Sequence, residues 1–196
     1  MTLTACGQTK NNSDTTQIFK VDTAQKLTQT MSSDYSPTFE KAHPNAKRLM
    51  NDSFFFNVIE ETAPFGSDDG ADTYAGFKDW RKNHASESPI IFLNEQIDYW
   101  NYPKFDFYET DFEKLKPYLK QDELRIQLMT GIDQAIVAIA FGQLYLEGTI
   151  DNDIKELAKT SIKRELLPEI LKLWGDYENT RRTNLNKLLT VLNEVK

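Results

Sequence analysis

Cysteine is almost missing from this sequence. Cys6 is the single example in 196 residues, so no internal disulfide can form and no CxxC redox or metal motif exists. Histidine is nearly as scarce: His43 and His84 are the only two, which argues against a multi-histidine zinc site. Glycine (8) and proline (7) are too few for a low-complexity or loop-rich chain. Positive charge is also short. Against 30 Asp and Glu stand 23 Lys and Arg, a net charge of −7. The basic residues cluster only as pairs, Lys47-Arg48, Arg81-Lys82, Lys163-Arg164 and Arg181-Arg182. A chain without a basic footprint is not expected to bind nucleic acid. Long hydrophobic runs are missing too. The most apolar segment, IDQAIVAIAFGQLYL (132–146), is interrupted by Asp133, Gln134 and Gln143. It falls short of the roughly 20 apolar residues of a membrane span, so no transmembrane helix is expected. No Gly-rich phosphate loop and no nucleophile-elbow context for a Ser/His/Asp order can be found.

The chain has instead 39% hydrophobic residues, among them 12 Phe, 8 Tyr and 3 Trp. That is enough to bury a sizeable core in one domain. The periodicity is helical. Pro44 opens one or two turns through Ala46, Leu49 and Met50. Phe54, Phe55 and Phe56 form a dense aromatic run, read as a buried edge segment or a loop plugged into the core. From Ala71, apolar residues recur at three- and four-residue spacing through Tyr74, Phe77 and Trp80. Ser88-Pro89 reads as an N-cap with proline at the first helical position. Further helices are expected over 111–119, with Pro117 bending its end, and over 121–146, stopped at Gly148. Asp151 or Asn152 opens the next, interrupted at Pro168. Segments 170–174 and 177–195 complete the set. The expected fold is an all-α (or mainly α) single domain of about six helices over 38–196, with a disordered polar extension over 1–37. Glu165, Glu169 and Asp176 read as a solvated charged face, and Trp100 and Trp174 as core anchors.

Two short stretches carry candidate chemistry. Leu3-Thr4-Ala5-Cys6 resembles the bacterial lipobox, with Cys6 as the lipidation site, followed by an Asn/Ser/Thr/Gln-rich spacer suited to a tether. Only five residues precede Cys6, whereas a signal peptide has an apolar run of roughly 7–15 residues before its cleavage site. The reading therefore needs a start upstream, and a cytoplasmic domain with a chance LTAC is the alternative. The second stretch is PFGSDDGAD (64–72), which gathers Ser67, Asp68, Asp69 and Asp72 around Gly66 and Gly70. The acids could hold Ca²⁺ or Mg²⁺, which favour oxygen ligands, although the spacing is not that of an EF-hand. A carboxylate pair with His84 nearby could also serve a hydrolytic enzyme. Helix capping explains the stretch without a ligand. A Ser67, Asp68 or Asp69 side chain takes a free backbone N–H, and the remaining acids favour the positive end of the helix dipole. The glycines supply unusual backbone angles, and Phe65 staples onto Tyr74 or Phe77. His84 reads as a helix-end cap and His43 as a turn residue.

Four segments together are similar to the YfeS-like bacterial proteins: AHPNAKRLM (42–50), APFGSDDGADTYAGFKDWR (63–81), AIVAIAFGQLYLEGTID (135–151) and ELLPEILKLWGD (165–176). They also resemble a broader set of small bacterial domains with a G-x-F-x-N-D-D-A-x-D motif. Here Ser67 stands in place of the Asn, and Gly70 intervenes before Ala71. The resemblance implies one compact domain over about 42–192 with the polar extension outside it. It implies no activity. The expectation is a non-enzymatic domain displayed at the cell envelope through Cys6, binding another protein, in an immunity or inhibitor role, and using no cofactor.

Overall fold

Apolar residues every three or four positions can only be buried together if each helix turns that stripe toward a common partner. In the computed structural model, which describes residues 36–196, the partner is one central helix, α5 (Arg125–Glu147). Cys6 and the rest of residues 1–35 lie outside the described residues. Residues 37–196 make up one compact unit. Around α5 stand α1 (Pro44–Leu49), α2 (Asp68–Arg81), α3 (Pro89–Trp100), α4 (Phe112–Leu119) and α6 (Asn152–Glu165). The short α7 (Pro168–Leu171) and the long α8 (Glu178–Glu194) pack on α6. No strand occurs among the described residues. The protein is mainly α, and six of these helices have eight residues or more.

Helix α5 has no polar face, because it is surrounded. Sixteen of its 23 residues are buried, from Met129 to Tyr145. By length and hydropathy it could cross a membrane, yet 89% of its most apolar 18-residue window is covered by the rest of the protein. It is the core helix. Gly142 lets Tyr74 and Phe77 of α2 approach the α5 backbone, with their ring atoms 3.1 and 3.4 Å from where a Cβ would stand. Gly148 ends α5 in the left-handed region at φ 77°, and a side chain there would collide with the His43 ring.

Helix starts follow the sequence signals closely. Ser67 caps α2 through Gly70 N–H, Ser88 caps α3 through Ile90 N–H with Pro89 next, and Asp111 caps α4 through Glu113 N–H. His43 caps α1, its Nδ1 accepting from Asn45 N–H. The Phe54–Phe56 run is a 3-10 helix, Ser53–Phe56, that buries Phe54 and Phe55. A 3-10 turn eclipses i and i+3, so consecutive aromatics there point to different sides.

Several expectations need correction. Leu124 lies before α5 and is exposed. The segment 170–174 is not one helix: α7 runs on into a 3-10 stretch, Lys172–Tyr177, broken at Gly175 (φ 53°). Trp174 is half-buried and stands outside the apolar core. Gly66 and Gly70 do not adopt positive φ. Gly66 is required for space, because a Cβ would collide with the Glu60 carbonyl.

Candidate functional site: a cleft beside the start of α2

The loop from Val58 to Ser67 crosses one end of α5 and delivers the chain to α2. It is built from short-range turns. Asn57 Oδ1 accepts from Ile59 and Glu60 N–H, and Glu60 Oε1 accepts from Thr62 N–H and Thr62 Oγ1. Opposite it lies the 3-10 stretch with Leu173 and Trp174. Between the two lips opens a cleft of about 640 Å³, floored by Ile126, Thr130, Gly131 and Gln134 of α5. The lips carry large apolar side chains that the fold leaves in solvent: Ile59 is 86% exposed, Leu173 64% and Val58 48%. Acidic residues share the wall: Glu61 and Asp68 line the cleft, and no Lys, Arg or His does.

The PFGSDDGAD stretch is the start of α2 and one wall of this cleft. Ser67 caps the helix, and the Phe65 ring packs on Tyr74 at 4.6 Å, as a staple requires. The three carboxylates diverge. Asp68 and Asp72 face solvent. Asp69 crosses to α5, where its carboxylate lies on Gly131 and accepts from Tyr102 Oη at 3.2 Å. Burial pushes the Asp69 carboxyl up. The Tyr102 hydrogen bond pulls it down, while Asp68 and Asp72 push it further up, and the net shift is upward. No group of three or more His, Cys, Asp or Glu among the described residues is arranged to hold a metal. His84 lies apart from the cleft. Its ring stacks on Trp80 at 4.5 Å with Nδ1 2.7 Å from Trp80 O, which closes the end of α2.

Behind the cleft is a cluster that sequence reading missed. Arg164 and Asp133 are both fully buried and joined by two hydrogen bonds. Arg164 Nη1 also donates to Phe107 O (3.0 Å) and Glu109 O (2.7 Å), holding the irregular connector between α3 and α4. At the next residue, Glu165 pairs with Arg181 of α8 at 2% and 1% exposure. Glu165 is therefore no part of a solvated face, whereas Glu169 and Asp176 are exposed as read. Burial pushes the Asp133 and Glu165 carboxyls up, against the pull of the two arginines. The one available signal was Asp133 itself, since an acid inside an apolar helix needs a buried cation.

This cluster sets the second lip. The Trp174 ring lies on the Arg181 guanidinium, 3.7 Å from its centroid. Tyr177 Oη donates to Glu60 Oε1 and lies 3.2 Å from Thr62 Oγ1, tying the 3-10 stretch to the loop across the back of the cleft.

The fold and the cleft define a class: a small mainly α domain with an open, acid-walled apolar cleft. Within that class the chain is similar to one curated bacterial protein. Over 147 residues it is 24% identical to the uncharacterized protein YfeS of Escherichia coli (strain K12), an alignment covering 71% of this chain and 56% of YfeS. The chain thus spans little more than half the length of that relative. No family model matches the chain, and no solved structure matches it.

Proposed function

We propose that this is a bacterial protein-binding domain, held at a membrane of the cell envelope by a lipid on Cys6, and that the cleft is its docking face. The observation that carries the docking reading is the pair of lips bearing Val58, Ile59 and Leu173. Large apolar side chains left in solvent on both sides of one cleft mark an interaction site rather than scattered surface residues. An inhibitor or immunity role fits such a face, which would act by covering a partner's surface. The tether reading rests on Leu3-Thr4-Ala5-Cys6 and the polar spacer after it. A single acyl chain binds a membrane weakly, so stable anchoring would need more than one.

The test uses the full chain in its native host. Ile59→Asp with Leu173→Asp should remove a crosslinked partner that the wild type retains, at unchanged melting temperature, and Cys6→Ser should move the protein from the membrane fraction to the soluble one. A crosslinked product that survives the lip variant would place the docking face elsewhere. A Cys6→Ser protein still in the membrane fraction would refute the tether.

A further inference from the structure

Resting on the cleft as the docking face, we infer that its occupant is a cationic segment of another protein, one that sets apolar side chains between the lips and lysines or arginines against the Glu61–Asp68 wall. The charge on the page selects it. The cleft lining has two carboxylates and no cation. Asp69 stands just behind the wall, with its carboxylate on Gly131 and only a tyrosine hydroxyl as partner. Asp72 adds a fourth acid one turn along α2. Neither Glu61 nor Asp68 has an ion-pair partner among the described residues. Interfaces pair opposite potentials, and like charges set face to face cost several kcal/mol.

The same charge rules out the other occupants of an apolar cleft. A second copy of this chain carries the same net −7 and would bring acid against acid. An anionic lipid surface repels the wall, because such surfaces attract lysine and arginine. Nucleic acid is excluded on the same ground. A cationic amphipathic segment satisfies both features: its apolar face takes up Ile59, Leu173 and Val58, and its charges neutralise the wall.

Three peptides of one length with identical leucine positions test this, differing only in whether the polar positions are Lys, Ser or Glu. Each is titrated into the full-length wild type, a Glu61→Lys/Asp68→Lys variant and a Leu173→Asp variant, with melting curves as the fold control. The Lys peptide should bind the wild type at least about tenfold more tightly than the Ser peptide, and added salt should weaken it. The Glu61→Lys/Asp68→Lys variant should reverse the preference toward the Glu peptide, and Leu173→Asp should weaken all three. Equal binding of the Lys and Ser peptides, both lost in Leu173→Asp, would overturn the cationic occupant and leave the docking face standing. Binding indifferent to Leu173→Asp, or no binding by any peptide, would overturn both. A wild-type dimer that Leu173→Asp converts to monomer would make the occupant a second copy and overturn the inference.

Discussion

Asp69 is the residue whose chemistry differs most from its sequence context. Three acids at a helix start predict capping and a favourable dipole, and Ser67 supplies the cap, which is worth about 0.5–2 kcal/mol. Asp69 instead spends its carboxylate on α5 and Tyr102, in a half-buried place that raises its affinity for a proton. A carboxyl whose folded affinity for protons exceeds the unfolded one contributes stability at low pH and loses it as pH rises through its folded pKa. Asp69→Asn keeps an acceptor for Tyr102 and removes the charge. It should therefore melt at the same or higher temperature than wild type at pH 7, and the gain should vanish as pH falls toward 4. A clear loss at pH 7 would show that the charge itself is stabilising. The adjacent Asp68, exposed at the first turn, gives an internal control for any general dipole effect.

At the scale of elements, the decisive contacts are the two buried pairs that join α5 to α6 and α6 to α8. Removing one partner of a buried pair leaves an unpaired charge in the core and costs about 3–5 kcal/mol, whereas replacing both with apolar residues is often neutral. Arg164→Met should thus destabilise by about that amount, and Asp133→Leu added to it should recover most of the loss in denaturant unfolding. The connector should not recover. The Phe107 and Glu109 carbonyls take their hydrogen bonds from Arg164, so amides over 101–111 should exchange faster in the double variant than in wild type. Unchanged exchange there would mean that the connector is held by Phe105 and Phe107 packing alone.

For the molecule as a whole, the cleft stays open because its lips are tied from behind. Glu60 is central to that. Burial pushes its carboxyl up, but Tyr177 and Thr62 hydrogen bonds and the Arg181 charge outweigh burial and hold it below the ordinary carboxylate range. Asp52, bonded to Lys187 and Phe54 N–H, is likewise held low. Groups of this kind give stability that is present above the unfolded pKa, near 4, and is lost as pH falls through the folded pKa. This is opposite in sign to Asp69. Glu60→Gln should lower the melting temperature at pH 7, and the difference from wild type should shrink as pH falls below about 4. It should also weaken whatever binds the cleft, through the Tyr177 tie, although Glu60 does not line it. A melting difference independent of pH would mean that Glu60 contributes only neutral hydrogen bonds.

The sequence by itself determined the mainly α fold, because helical periodicity, serine and aspartate caps, Pro89 and Gly148 all act within a few residues of one another. It also identified the acidic stretch as a helix start, since Ser67, Gly70 and Phe65 need only their near neighbours. Contacts between distant segments had no such local signature. Glu165 read as surface because a charged residue between Arg164 and Leu166 looks the same whether or not Arg181 waits sixteen residues on. The cleft was equally silent. Ile59, followed by Glu60 and Glu61, and Leu173, beside Trp174, become two lips only when the loop and the 3-10 stretch are folded against the same end of α5. Tertiary structure decided those features because they depend on which surfaces meet after the apolar stripes have found each other, and that pairing is set by the packing of the whole core.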